Sequence, residues 1–141
     1  MALKHIYPAC YAFDVDDSLA IQGAPFPGPV ILNDVMALRN AGCVTGICGN
    51  YIVAMKFFPD WYKFFSFYGP TRLLSPKPAA HQYKHLQLID IKEDILAEKY
   101  VMVGNKRGSS WARPQSQDDV QARLANWKFL TETEFANGKR F

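Results

Sequence analysis

YAFDVDDS, residues 11–18, is a short apolar run that breaks into acid. Tyr11-Ala12-Phe13 reads as a buried strand, and the polar stretch from Asp14 as the chain leaving its C-terminal end. In an α/β protein that end is where ligands bind. Asp14 and Asp16 flank Val15, and in an extended backbone residues i and i+2 point the same way. Two carboxylates would then face one cleft. The pair suits a nucleophile beside a general acid, or a hard-cation site with oxygen ligands. Ser18 adds a hydroxyl two residues on. The plainer alternative is a charged turn after a strand.

Working outward, apolar strand-like runs alternate with stretches of helical spacing. Residues 30–39 read as a helix, stopped at Ala41-Gly42. CVTGIC, residues 43–48, reads as a second buried strand, ended by Gly49-Asn50. Tyr51 to Tyr68 is dense in aromatics, with a helix broken near Pro59. Residues 71–74 read as a third strand, 78–89 as a helix opened by proline, and 91–99 as a second helical piece. YVMVG, residues 100–104, is the fourth strand, and Asn105 follows it directly. A polar loop leads to a helix over 118–125, a fifth strand over 127–130, and Thr131-x-x-Glu134 in the form of a capping box. This alternation predicts an α/β, three-layer Rossmann-like fold: a central parallel sheet of about five strands with helices on both faces. No repeat or linker divides the chain, so residues 1–141 are expected to form one domain.

Composition narrows the class. The chain has 141 residues, is 49% hydrophobic and 21% charged, and carries a net charge of +3. That is ordinary for a globular protein, and the charge permits an anionic partner without arguing for nucleic acid. No apolar stretch approaches a membrane span, and the first ten residues do not read as a signal peptide. Cys10, Cys43 and Cys48 form no pattern and read as reduced thiols, which suits a cytoplasmic location.

Taken together and in order, these stretches resemble the haloacid dehalogenase (HAD) superfamily of phosphohydrolases, over about residues 11–135. Asp14, Asp16 and Ser18 fill the family's first motif, with serine for threonine. Gly49 stands where the second motif has a hydroxyl, and Asn50 follows it. Lys77-Pro78 matches the third motif. Gly104-Asn105 matches the fourth with asparagine for aspartate. Asp118 or Asp119 could reach back to the same cleft, and Asp119 is the better match to the family's second acid.

The resemblance implies a Mg2+-dependent phosphomonoesterase. Asp14 would attack phosphorus, and Asp16 would serve as general acid and then base. Lys77 would hold Asp14 and the phosphate. The metal would lie against Asp14, the Asp16 carbonyl, Asn105 and Asp119. Ser18, Gly49 and Asn50 would contact the phosphoryl group. An amide in place of a carboxylate at 105 would weaken a cation site by about 1–4 kcal/mol. The gaps after Ser18 and after the second strand leave no room for a cap domain, so the site is expected to be open. An open site, with Lys106, Arg107, Trp111 and Arg113 nearby in sequence, makes a nucleotide or polynucleotide end the first substrate expectation.

Other features carry two readings each. The aromatic stretch Phe57–Tyr68 is either a helix packed on the sheet or a surface for a partner or a second copy. GAPFPGP, residues 23–29, is a flap over the site or a stiff connector. His81 and His85 have a zinc-compatible spacing, but a solvated helix face is the simpler reading. A different functional class also remains: a binding or regulatory protein of the same fold with weak or no catalysis.

Overall fold

A computed structural model describes residues 5–69, 84–106 and 117–141. The chain is α/β, with four parallel strands and five α-helices among the described residues. Strand β1 is Cys10–Phe13, followed by α1 (Leu32–Asn40), β2 (Val44–Ile47), α2 (Tyr51–Phe57) and a single 3-10 turn at Trp61–Lys63. Helix α3 (Lys84–Asp94) leads into β3 (Tyr100–Gly104), then α4 (Asp118–Leu124), β4 (Lys128–Thr131) and α5 (Glu132–Ala136). The sheet order is β2-β1-β3-β4, which makes β1 an interior strand. Its register sets Phe13 beside Ile47 on one side and Val103 on the other. The arrangement is compatible with a Rossmann-like fold.

Side-chain alternation divides the core into two layers, one on each face of the sheet. Tyr11, Phe13, Val101 and Val103 pack with Val35 of α1, Ala54 of α2 and Phe135 of α5. Cys10, Ala12 and Met102 pack on the opposite face with Leu88 and Ile91 of α3 and Ala122 of α4. Asp14 and Gly104 continue the second parity, toward α3 and α4. The three thiols are free, and Cys10 and Cys48 are buried.

One expectation changes. The pieces placed at 78–89 and 91–99 are, where described, one helix running through Asp90 to Asp94. Leu88 and Ile91 keep its buried face continuous across the expected break. The candidate third strand at 71–74 lies outside the described residues. Just before it, Ser66 and Phe67 run beside β2 in the same direction: Ser66 N donates to Thr45 O at 2.7 Å and Ile47 N to Phe67 O at 2.9 Å. The aromatic rings of residues 57–68 divide between core and surface. Phe65 is buried, Phe57, Phe58, Trp61 and Phe64 pack against the core, and Tyr62 and Tyr68 are exposed.

The sequence's capping box is present in full. Thr131 Oγ1 accepts from Glu134 N at 3.1 Å, and Glu134 Oε1 accepts from Thr131 N at 3.0 Å. Among the described residues no helix is long and apolar enough to cross a membrane.

Candidate active site

The C-terminal ends of β1 and β3 and the first turns of α3 and α4 meet at one buried polar cluster. Asp14 enters from β1, its N–H bonded to Val103 O at 2.9 Å. Asn105 enters from β3, Asp118 from α4 and Lys84 from α3. All four are buried, Asn105 completely.

Lys84 is the hub. Its Nζ donates to Asp118 Oδ1 at 2.8 Å and to Asp14 Oδ1 at 3.1 Å. Helix α3 can present it there because its start is tied to α4: His85 N donates to Gln121 Oε1 at 3.0 Å. His85 Nδ1 also lies 2.6 Å from the same oxygen, so its ring serves the joint between helices. His81 lies outside the described residues. Burial alone would pull the Lys84 ammonium down, but the carboxylates of Asp118 and Asp14 outweigh it and hold the ammonium above its ordinary range. Lys84 is therefore charged. Burial pushes the Asp14 carboxyl up to about 8, with the neighbouring Asp118 charge adding to it and Lys84 opposing both.

Asn105 ties the strand ends together. Its backbone N–H donates to Asp118 Oδ2 at 2.9 Å, and its carbonyl accepts from Asp118 N at 3.0 Å. Its side-chain Nδ2 donates to Asp14 Oδ2 and, at 3.1 Å, to the Asp16 carbonyl oxygen. The Asn105 Oδ1 is buried and has no hydrogen-bond partner among the described residues. Both oxygens of Asp14 are thus held, one by an ammonium and one by an amide.

Asp16 reaches the cluster by a turn instead of a continued strand. β1 ends at Phe13, and Asp17 takes a left-handed backbone with φ of 60°. The turn turns the Asp16 carbonyl onto Asn105, while Asp16 Oδ2 accepts from Asn50 Nδ2 at 3.2 Å. The Pro-rich segment fastens this turn. Asp17 N donates to Phe26 O at 2.8 Å, Gly28 N to Leu19 O at 3.0 Å, and Val30 N to Ser18 O at 2.8 Å. Residues 23–29 are therefore laced to the loop that carries Asp16. Ser18 is fully buried beneath it, and its Oγ finds no partner among the described residues.

Two glycines are there for space. A Cβ at Gly49 would collide with Asp14 Oδ1, and one at Gly104 with Asp118 Oδ2. The glycine at 49 thus makes room for the Asp14 carboxylate. The Asn50 amide donates to Asp16 Oδ2.

Of the residues expected from sequence, the structure gathers Asp14, Asp16, Gly49, Asn50 and Asn105, with Ser18 in the supporting loop. Lys77 lies outside the described residues; among those described, Lys84 is the cation that grips Asp14. Asp118, not the half-exposed Asp119, is the acid that α4 buries in the cluster. Both were findable by helical spacing. Lys84, Leu88 and Ile91 share one buried face, as do Asp118, Gln121 and Ala122. A lysine or aspartate on an apolar face has to find a partner.

The donor types suit Mg2+, which prefers oxygen. Asp14 Oδ2 and the Asp16 carbonyl converge on one point, and the unpartnered Asn105 Oδ1 belongs to the amide that lies there. Among the described residues no three acidic, histidine or cysteine side chains gather as a metal site. Such an ion would rest on one carboxylate, one carbonyl and one amide, a set with little negative charge.

No family model matches the chain, and no curated protein or solved structure is significantly similar to it.

Proposed function

We propose that this chain is a phosphatase of the HAD type that hydrolyses phosphomonoesters through Asp14. One observation carries the reading: Asp14 leaves an interior strand into a cluster where Lys84 holds its Oδ1 at 3.1 Å, with Asp16 two residues on. A buried carboxylate gripped at one oxygen by an ammonium is oriented for attack by its other lone pairs. In the first step an Asp14 oxygen bonds to phosphorus, the ester P–O bond breaks, and Asp16 gives its proton to the leaving alcohol. In the second, Asp16 takes a proton from water, the water oxygen bonds to phosphorus, and the bond from phosphorus to Asp14 breaks. The lacing of residues 23–29 to the Asp16 turn keeps that acid in place. The backbone N–H groups near Gly49 and Asn50 are the candidate phosphoryl contacts. Mg2+, when bound at Asp14, the Asp16 carbonyl and Asn105, supplies charge neutralisation between two anions. Phosphate at a nucleotide or polynucleotide end is the substrate class the reading names first, from the cations that follow Asn105 in sequence.

A rival reading has its own observation. Burial and the neighbouring Asp118 charge push the Asp14 carboxyl above the usual carboxylate range, against the pull of Lys84, which works against the ionised form that a nucleophile needs. That would suit a binding or regulatory protein that keeps the fold without turnover. A panel of phosphomonoesters, assayed with Mg2+ on the wild type and Asp14→Asn, separates the two. Hydrolysis lost with Asp14→Asn supports the phosphatase. No hydrolysis of any ester, at any Mg2+ concentration tried, supports the binding protein.

A further inference from the structure

We propose that the Asn105 amide is a stand-in for a cation: it holds the site together without one and must turn over to admit one. The inference rests on the reading above for the cation and for the oxygens that would hold it.

The two hydrogens of Asn105 Nδ2 are directed at two oxygens, Asp14 Oδ2 and the Asp16 carbonyl. These are the oxygens a cation in this site would need. An NH2 group bears partial positive charge on two hydrogens, so it satisfies both acceptors as a small cation would. The residue cannot shift as a whole to make room. Its N–H and carbonyl are both bonded to Asp118, at 2.9 and 3.0 Å. It is completely buried between β3 and the Asp16 turn. What remains is rotation about the Cβ–Cγ bond, which exchanges Nδ2 for Oδ1, an atom with no hydrogen-bond partner among the described residues.

The choice of amide over carboxylate follows. Asp14 and Asp118 already share the one Lys84 ammonium. A third carboxylate at 105 would face Asp14 Oδ2 and the Asp16 carbonyl with no hydrogen to offer either. A site with aspartate here would need its cation to stay ordered. With asparagine it is ordered in advance, and cation binding has to break two hydrogen bonds. The site therefore takes its cation weakly and keeps its shape when the cation leaves.

The test is side-chain NMR of the 15N-labelled protein during a Mg2+ titration, beside thermal unfolding of the wild type and Asn105→Asp. In the wild type without Mg2+, the Asn105 NH2 protons should be protected from solvent exchange, and saturating Mg2+ should remove the protection. Asn105→Asp should melt lower than the wild type without Mg2+, and should be stabilised at Mg2+ concentrations roughly tenfold or more below those the wild type needs. NH2 protons that exchange as freely as a surface amide in the cation-free wild type would overturn the proposal. So would protection that persists after Mg2+ has bound. The wild-type readout needs neither substrate nor a folded variant, so a failed phosphatase assay leaves it standing.

Discussion

Lys84 Nζ lies 3.1 Å from Asp14 Oδ1 across 70 residues of sequence, with both side chains buried. The same ammonium reaches Asp118 at 2.8 Å, so one cation joins α3 to the ends of β1 and α4. Without its partner each carboxylate would be a buried, uncompensated charge.

Lys84→Met is therefore expected to destabilise the fold by about 3–5 kcal/mol, the usual result of removing one member of a buried ion pair. Urea unfolding measures it. Adding Asp118→Asn to Lys84→Met should recover part of the loss, because the second change removes a stranded charge. A single variant within about 1 kcal/mol of the wild type would show that the ammonium is not the hub.

Gly49→Ala places a methyl group where Asp14 Oδ1 now lies. The expected cost is about 1–3 kcal/mol of stability, as for overpacking elsewhere, with a larger fractional loss of any Asp14-dependent hydrolysis. Denaturation and turnover measured on the same preparation separate the two effects. Unchanged turnover would mean that Asp14 has freedom to move aside.

The capping box sets a pH dependence. The Glu134 carboxyl is held below its ordinary value, first by the Thr131 N–H and then by Lys139. A carboxyl bound more acidic in the folded state adds stability above the ordinary glutamate range, and the contribution is lost as pH falls through the folded value. The difference in Tm between the wild type and Glu134→Gln should be full at neutral pH and shrink in acid. Thr131→Ala should cost about 1 kcal/mol at neutral pH.

These expectations rest on parts of the molecule that differed in how plainly the sequence announced them. The strands did so best. Tyr11-Ala12-Phe13 and Tyr100 to Gly104 are apolar runs closed by polar residues, and a buried parallel strand needs nothing more to be recognised. Thr131 and Glu134 were legible because the capping box is a local contact of fixed spacing. Asp14 and Asn105 stood out by position, each directly after a strand.

Lys84 and Asp118 were harder, because their roles depend on which face of a helix meets the sheet. That is a tertiary fact, and only the apolar partners Leu88, Ile91 and Ala122 hint at it. The contact between Asn105 Nδ2 and the Asp16 carbonyl was not legible at all. It depends on the left-handed turn at Asp17, which no residue type at that position demands.

On the proposed mechanism, Asp14 takes the phosphoryl group. This step is tested most directly by mass spectrometry of Asp16→Asn after mixing with p-nitrophenyl phosphate and Mg2+. The p-nitrophenolate leaving group departs without a proton, so the first step should proceed, while the water step lacks its base. The variant should gain the mass of one phosphoryl group on the peptide holding Asp14, and Asp14→Asn should gain none. Wild-type turnover of the ester while the Asp14 peptide of Asp16→Asn stays unmodified would contradict that mechanism.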